Sequence, residues 1–279
     1  FARCVGLQRG GEGLAQGVQL GEVVAARLHI FAHPVGGGLF AGAGLDTVPR
    51  PPIGEGAVTV GVAGDKDAMK PEHELAPHVA EWDATAHFPR EQIRHAGEMG
   101  FCGIYTGEEH GGMALGRVEA AVIFEELSRG DVATAAFISI HNMATWMIDR
   151  FGSDDLRGRF VPSLVSMDKI ASYCLTEPGS GSDAAALRTT AKLEGDHYVV
   201  NGTKQFISGG GVNDVYVTMV RTSDHKTKGI TCLVIDKDTP GVSFGAPEKK
   251  LGWNASPTAQ VIFEDARVPV ANRVGDEGE

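Results

Sequence analysis

The chain predicts an α+β protein, with an N-terminal helical bundle domain followed by a small β-barrel domain. Apolar residues recur at three and four spacing from about residue 72 to 164, then at spacing two from about 172 to 270, with the switch near residue 170. The second half also carries short β-branched runs separated by turn signals at close to regular intervals, which is the pattern of an all-β unit. With 279 residues and 42% hydrophobic content, the chain is long enough to bury a sizeable core in one or two domains.

Residues 1–70 stand apart. They are rich in glycine, sustain neither periodicity, and contain Val48-Pro49-Arg50-Pro51-Pro52, which stops any helix. The apolar stretch from Val23 to Leu45 is interrupted by Arg27, His29, His33 and Pro34, so it reads as neither a membrane span nor a secretory signal. Glu12, Glu22 and Asp46 fit a mitochondrial transit peptide poorly. This segment is expected to be a disordered or non-native leader. Residues 71–171 read as the helical domain. Glu91 to Met99 and Arg117 to Leu127 are amphipathic, and Asp131 to Phe151 is a long apolar run too rich in Ala and Met for a strand. Residues 172–273 read as the β domain, with Val215–Val220, Ile230–Ile235 and Val261–Phe263 as its clearest strands, and 274–279 begin something further.

Two motifs carry chemistry. In Tyr173-Cys-Leu-Thr-Glu-Pro-Gly-Ser-Gly-Ser-Asp183 a strand-like run from Ile170 to Leu175 breaks at Pro178 into a Gly/Ser turn. Gly179, Gly181 and Ala184 fit G-x-G-x-x-A, yet a dinucleotide fingerprint must open a helix, and Ala184 to Lys192 is too short and too soon followed by Gly195-Asp196. The motif is therefore a β-turn whose backbone N–H groups and Thr176, Ser180 and Ser182 hydroxyls face a polar ligand, or else a plain solvated turn. In the second motif, Asn201-Gly202 predicts a hairpin turn, followed by a short strand to Ser208 and the run Gly209-Gly210-Gly211. Side chains two apart on a strand share a face, so Phe206 and Ser208 can touch one planar ligand together. Taken singly, Phe206 also fits the core, Ser208 a turn start and Tyr173 a cross-strand contact.

A net charge of −11 argues against nucleic acid or an anionic membrane as partner. Cys4, Cys102, Cys174 and Cys232 are too scattered for a zinc site or a disulfide framework and read as small core residues. His73-Glu74 with His78 is one residue too long for H-E-x-x-H and contains Pro77. No metal site is expected.

The two motifs, in this order, resemble the flavin-binding middle domain of the acyl-CoA dehydrogenases. Glu74-Leu-Ala-Pro, Phe88-Pro89, Met99–Tyr105, Ile138-Ser-Ile-His-Asn-Met143, Leu251-Gly-Trp-Asn-Ala-Ser-Pro257 and Val261–Pro269 look like the same family, so the match runs from about residue 72 to the end. Its wording is nearest the branched-chain members, which implies a short branched acyl-CoA such as isobutyryl-CoA in valine breakdown. The resemblance implies FAD, with Tyr173, Leu175 and Thr176 along the isoalloxazine, Phe206 and Ile207 packing on it, and Ser208 offering its hydroxyl. Many relatives have Trp and Thr at the positions of Phe206 and Ser208. Gly181 and Ser182 are also carried over as cofactor-binding, Ser182 touching the CoA arm as well in a turn where Gly181 lets the backbone come close, and His141 would border the acyl cavity unless it is a buried, satisfied histidine.

The reaction removes an α proton and a β hydride, so the site must stabilise a developing enolate. The family's Glu base and C-terminal four-helix domain are expected beyond Glu279, and its amphipathic first helix is not found before Glu74. Glu177 is not assigned as base, and this chain alone is expected to be inactive. Electron-transfer flavoprotein is the implied acceptor and a homotetramer the implied assembly. The compartment would be the cytoplasm in a bacterium or the mitochondrial matrix in a eukaryote. The alternative is a non-catalytic piece that binds flavin or acyl-CoA, or a scaffold with no ligand.

Overall fold

The computed structural model describes residues 69–278; expectations about residues 1–68 and Glu279 lie outside that span. Among the described residues six α-helices precede the strands: α1 Pro71–Glu74, α2 Val79–Thr85, α3 Arg90–Glu98, α4 Arg117–Gly130, α5 Val132–Phe151 and α6 Asp154–Val165. The break between α4 and α5 has one packing cause and one local cause. A Cβ on Gly130 would lie 2.6 Å from Pro71, and Asp131 leaves helical geometry to cap α5, accepting from Ala133 N–H (3.1 Å) and Thr134 N–H (3.0 Å). Ser153 caps α6 in the same way through Leu156 N–H (3.2 Å).

Eight strands follow: β1 Ala171–Cys174, β2 Thr190–Glu194, β3 His197–Ser208, β4 Val215–Arg221, β5 Ile230–Asp236, β6 Val242–Phe244, β7 Thr258–Pro269 and β8 Arg273–Val274. They form one sheet in the order β6-β7-β3-β2-β4-β5-β8, with β1 parallel to β4. Instead of the closed ladder expected of a barrel, the hydrogen-bonded path has two ends, β6 and β8. Its halves meet through a single parallel pair, Thr190 with Arg221. Both halves contribute to one core, Tyr198, Val200 and Phe263 from one side and Tyr216, Leu233 and Ile235 from the other.

The helical domain packs on the outer face of β1, β4 and β5. Ala144, Ile148, Phe160 and Leu164 meet Ala171, Val215, Val217 and Val234 in a second core. Alternate residues of β4 and β5 thus enter different cores, which is why both strands read as continuous apolar runs. Each Val, Leu, Ile or Phe so buried stabilises the fold by about 1.5–3 kcal/mol. Among the described residues, no helix is long and apolar enough to cross a membrane, and no group of three His, Cys, Asp or Glu could hold a metal ion.

The expected turn at Asn201-Gly202 does not form. The chain reverses earlier, at Gly195-Asp196, where Gly195 takes φ +66° and Glu194 pairs with His197. β3 then runs straight through Asn201-Gly202, opposite an irregularity in β7 where Asp265 adopts φ +51° and the Asn201 amide bonds both the Asp265 carboxylate (3.0 Å) and its N–H (2.9 Å). Gly202 is needed for a different reason: its φ is +146°, and a Cβ would approach the Thr189 Cα to 2.7 Å. Gly202→Ala is expected to destabilise the protein by about 1–3 kcal/mol from backbone strain alone. A thermal melt reads this as a drop in Tm of roughly 2–4 °C per kcal/mol.

Candidate flavin site

The two motifs meet where the loop after β1 crosses the end of β3. Gln205 N–H donates to the Thr176 carbonyl (2.7 Å), and Lys204 Nζ donates to the Leu175 carbonyl (3.2 Å) and to Glu177 Oε1 (2.7 Å). Glu177 also accepts from Arg188 N–H (2.6 Å) and Thr189 N–H (2.9 Å), so one carboxylate fixes both ends of the loop. Lys204 is fully buried and Glu177 nearly so. Burial pushes the Glu177 carboxyl up, but the bonds from Lys204, Thr189 and Arg188 outweigh it and hold the group below the ordinary carboxylate range. Burial in turn lowers Lys204, with Glu177 opposing the shift. Glu177 is thus committed to the loop.

The loop is a tight turn. Glu177 and Ser180 exchange two backbone hydrogen bonds (2.8 and 3.1 Å), and the Ser180 hydroxyl turns inward to the Asp183 carbonyl (2.8 Å) instead of facing outward as expected. Ser182 is exposed, while Leu175 and Thr176 are half-buried. A Cβ at Gly179 or Gly181 would meet nothing within 4 Å, and neither glycine has a positive φ. Internal packing and backbone conformation therefore give no reason for glycine at either position. Farther along, Arg221 holds the 184–189 stretch by donating to the carbonyls of Ala185 (2.8 Å) and Leu187 (2.9 Å).

On the strand side the expected alternation is interrupted. Lys204 pairs with Val261 and Ile207 with Ala259, so Gln205 and Phe206 form a bulge, and Phe206 has φ +58°. Phe206 is 62% exposed, which removes it from the core, whereas Ile207 is 2% exposed and belongs to the sheet core. Ser208 is half-buried, and its carbonyl accepts from the Ser172 hydroxyl (2.7 Å). Tyr173 is half-buried against the helix-side core, and burial raises its hydroxyl pKa. The glycine run wraps around Tyr216, whose hydroxyl accepts from Gly211 N–H (3.1 Å) and lies 3.2 Å from the Gly209 carbonyl. Gly209 has φ +79° and abuts Asn213.

Two features escaped the sequence reading. Lys204 could have been found, since Tyr198, Val200, Gly202 and Lys204 alternate inward along β3, placing a lysine at a core position. The tie from Asn254 to Asp83 (N–H to Oδ1, 2.7 Å; Nδ2 to Oδ2, 3.1 Å), joining helical domain and sheet, spans 171 positions and has no local signal.

Comparison with known proteins decides the family. The model of the acyl-CoA dehydrogenase N-terminal domain matches residues 71–168, and that of the acyl-CoA dehydrogenase middle domain matches residues 172–266. The chain belongs to the acyl-CoA dehydrogenase family. Acyl-CoA dehydrogenases are FAD-dependent oxidoreductases. The chain is 56% identical over 206 residues to mitochondrial isobutyryl-CoA dehydrogenase of Bos taurus, covering 74% of this chain and 50% of that protein. Butyryl-CoA dehydrogenase from Megasphaera elsdenii superposes with a TM-score of 0.71 at 32% identity, over 75% of this chain and 56% of that one. A glutaryl-CoA dehydrogenase from Mycobacterium smegmatis in complex with FADH2 gives 0.69 at 29% identity, over 74% and 52%. The chain spans about half the length of the curated relatives it matches.

The residues present fit the cofactor of an acyl-CoA dehydrogenase. A planar aromatic group needs an exposed ring to stack on and nearby polar atoms, which Phe206, Thr176 and Ser208 can supply, and the open space at Gly179 and Gly181 allows close backbone approach. His141 has a different setting. It is fully buried on α5, where its Nδ1 accepts from Ala171 N–H (3.0 Å) and its Nε2 lies 3.0 Å from the Leu164 carbonyl. Neither ring nitrogen is left for a ligand. Asn142 likewise spends its side chain on Ile104 N–H (2.8 Å) and the carbonyls of Phe101 (2.7 Å) and Ile138 (3.0 Å).

Burial lowers the His141 pKa from 6.5 to about 4. The unfolded chain therefore binds this proton first as pH falls. The contribution to stability is fully present above 6.5 and is lost as pH drops toward 4. Its size is on the order of 3 kcal/mol. Denaturant melts across this range are expected to give a steeper pH dependence for the parent than for His141→Gln.

Proposed function

We propose that this chain carries the flavin-binding part of an acyl-CoA dehydrogenase that takes an α proton and a β hydride from a short branched acyl-CoA such as isobutyryl-CoA, a step of valine breakdown. The observation that carries this reading is the exposed Phe206 ring, held at positive φ in a bulge and tied through Gln205 and Lys204 to the Thr176 turn. A bulky side chain in the left-handed region costs about 1–3 kcal/mol, and such strain gathers at functional sites. FAD, when bound, supplies the hydride acceptor. Phe206, backed by Ile207, would hold the ring system, the Thr176 and Ser208 hydroxyls would offer it hydrogen bonds, and Tyr173 and Leu175 would complete the site. Gly181 and Ser182 receive the CoA arm.

The 56% identity to isobutyryl-CoA dehydrogenase supports the substrate. No described residue is assigned as the α-proton base. Electron-transferring flavoprotein is the proposed acceptor, a homotetramer the proposed assembly and a small β-barrel with an open hydrogen-bond ladder the proposed form of the middle domain, in the mitochondrial matrix or the bacterial cytoplasm according to source.

FAD titration tests the site. Replacing Phe206 and Thr176 together by Ala should cost roughly 2 kcal/mol, a rise in Kd of about thirtyfold. Replacing Cys102 and Cys174, which are buried thiols, should leave Kd unchanged. Unaltered flavin affinity in the Phe206/Thr176 variant would show that the ring lies elsewhere. Turnover of isobutyryl-CoA with an artificial electron acceptor, compared with that of a linear acyl-CoA, tests the substrate.

A further inference from the structure

Three consecutive loop residues are joined to two consecutive strand residues at one point in the fold. Lys204 Nζ reaches the Leu175 carbonyl (3.2 Å) and the Glu177 carboxylate (2.7 Å), and Gln205 N–H reaches the Thr176 carbonyl between them (2.7 Å). The residue that follows this clamp is Phe206, at φ +58°. From the other side, the Gln205 amide donates to Glu248 (2.5 Å) and accepts from the Gln260 side chain (2.6 Å), so the bulge is braced on both flanks. Within the clamp Lys204 is fully buried and Glu177 nearly so.

A buried ion pair is a poor means of gaining stability. Desolvating each charge costs several kcal/mol, and a neutral apolar replacement of the whole pair is often as stable or more so. What a neutral replacement lacks is the directed set of bonds from one ammonium to two loop residues. We propose that Lys204, acting with Glu177, is a positioning residue that fixes the spacing between Thr176 and Phe206 across which the flavin ring is held. This rests on the flavin reading above. It adds a role for two residues that do not touch the ring.

The test separates stability from position. In the full chain, Lys204→Met leaves a buried carboxylate unpaired and should lower Tm sharply. The double variant Lys204→Met with Glu177→Gln removes both charges and should regain most of that loss. FAD affinity should not follow: the double variant is expected to bind at least tenfold more weakly than the parent, with an altered visible circular dichroism of the bound flavin. In the cofactor-free protein the Gln205 amide should exchange its hydrogen at least tenfold faster than in the parent, while the amides of β4 and β5 stay unchanged.

A double variant that is stable and binds FAD like the parent, with unchanged Gln205 exchange, would overturn the positioning role and leave the flavin site standing. A parent chain that takes up no FAD would instead overturn the flavin reading and, with it, the proposed use of the clamp. If the double variant does not fold, Glu177→Gln alone is measured in the same assays. It keeps an acceptor for Lys204 but sets an amide group against Arg188 N–H. A severalfold weakening of FAD binding supports the role, and unchanged binding and exchange overturn it.

Discussion

A single ammonium inside the β domain organises the surface on which this protein's chemistry would take place. Lys204 sits at an inward position of β3, a strand that gives Tyr198, Val200 and Ile207 to the core, and its charge is matched by Glu177 from a different segment. An unpaired charge there would be prohibitive, so the loop after β1 has one acceptable position relative to the strand. Glu177 passes the constraint on through the N–H groups of Arg188 and Thr189, which set the entry to β2. The turn and the start of the next strand thus both depend on one pair, which adjoins the bulge that register with β7 creates.

The rest of the molecule supplies a rigid support for that pair. β4 and β5 lie between two cores, so their position is fixed from both faces, and β1 is held against β4 from the residue before it, where Ile170 N–H meets the Asp214 carboxylate just ahead of β4 (2.9 Å). His141 ties α5 to the start of the same strand through Ala171 N–H (3.0 Å). The loop that leaves β1 at Leu175 therefore starts from a point that neither the sheet nor the helices allow to move. At the opposite side Lys250 gathers the carbonyls of Trp253 (2.6 Å) and Ser256 (2.5 Å), shaping the segment whose Asn254 reaches back to Asp83 on α2.

Most of the architecture could be read from periodicity, because helices and strands bury one face at different spacings. The Asp131 boundary was legible since a capping residue and a glycine mark it locally. The Asn201-Gly202 turn was misread for an equally physical reason: that dipeptide favours a tight reversal when free, but pairing with β7 and the close approach of Thr189 kept it extended. The candidate site residues were proposed from motif resemblance, which carried no information about their geometry. Nothing local announces the bulge at Gln205 and Phe206, which depends on register with β7, or the inward turn of the Ser180 hydroxyl. For His141 both a cavity-lining place and a buried, satisfied one stayed open, because sequence alone cannot tell a buried histidine with two backbone partners from one facing a cavity.

The two ends of the sheet path are also its shortest strands, three residues in β6 and two in β8. An exposed strand edge is a template on which another chain can add by backbone pairing, and a long, flat, apolar edge invites aggregation. Here the long strands, β3 and β7, have partners on both sides, and the path ends in these two stubs. A sheet that need not close into a continuous ladder can then remain open at its seam and still give a neighbouring molecule too few backbone groups to extend it.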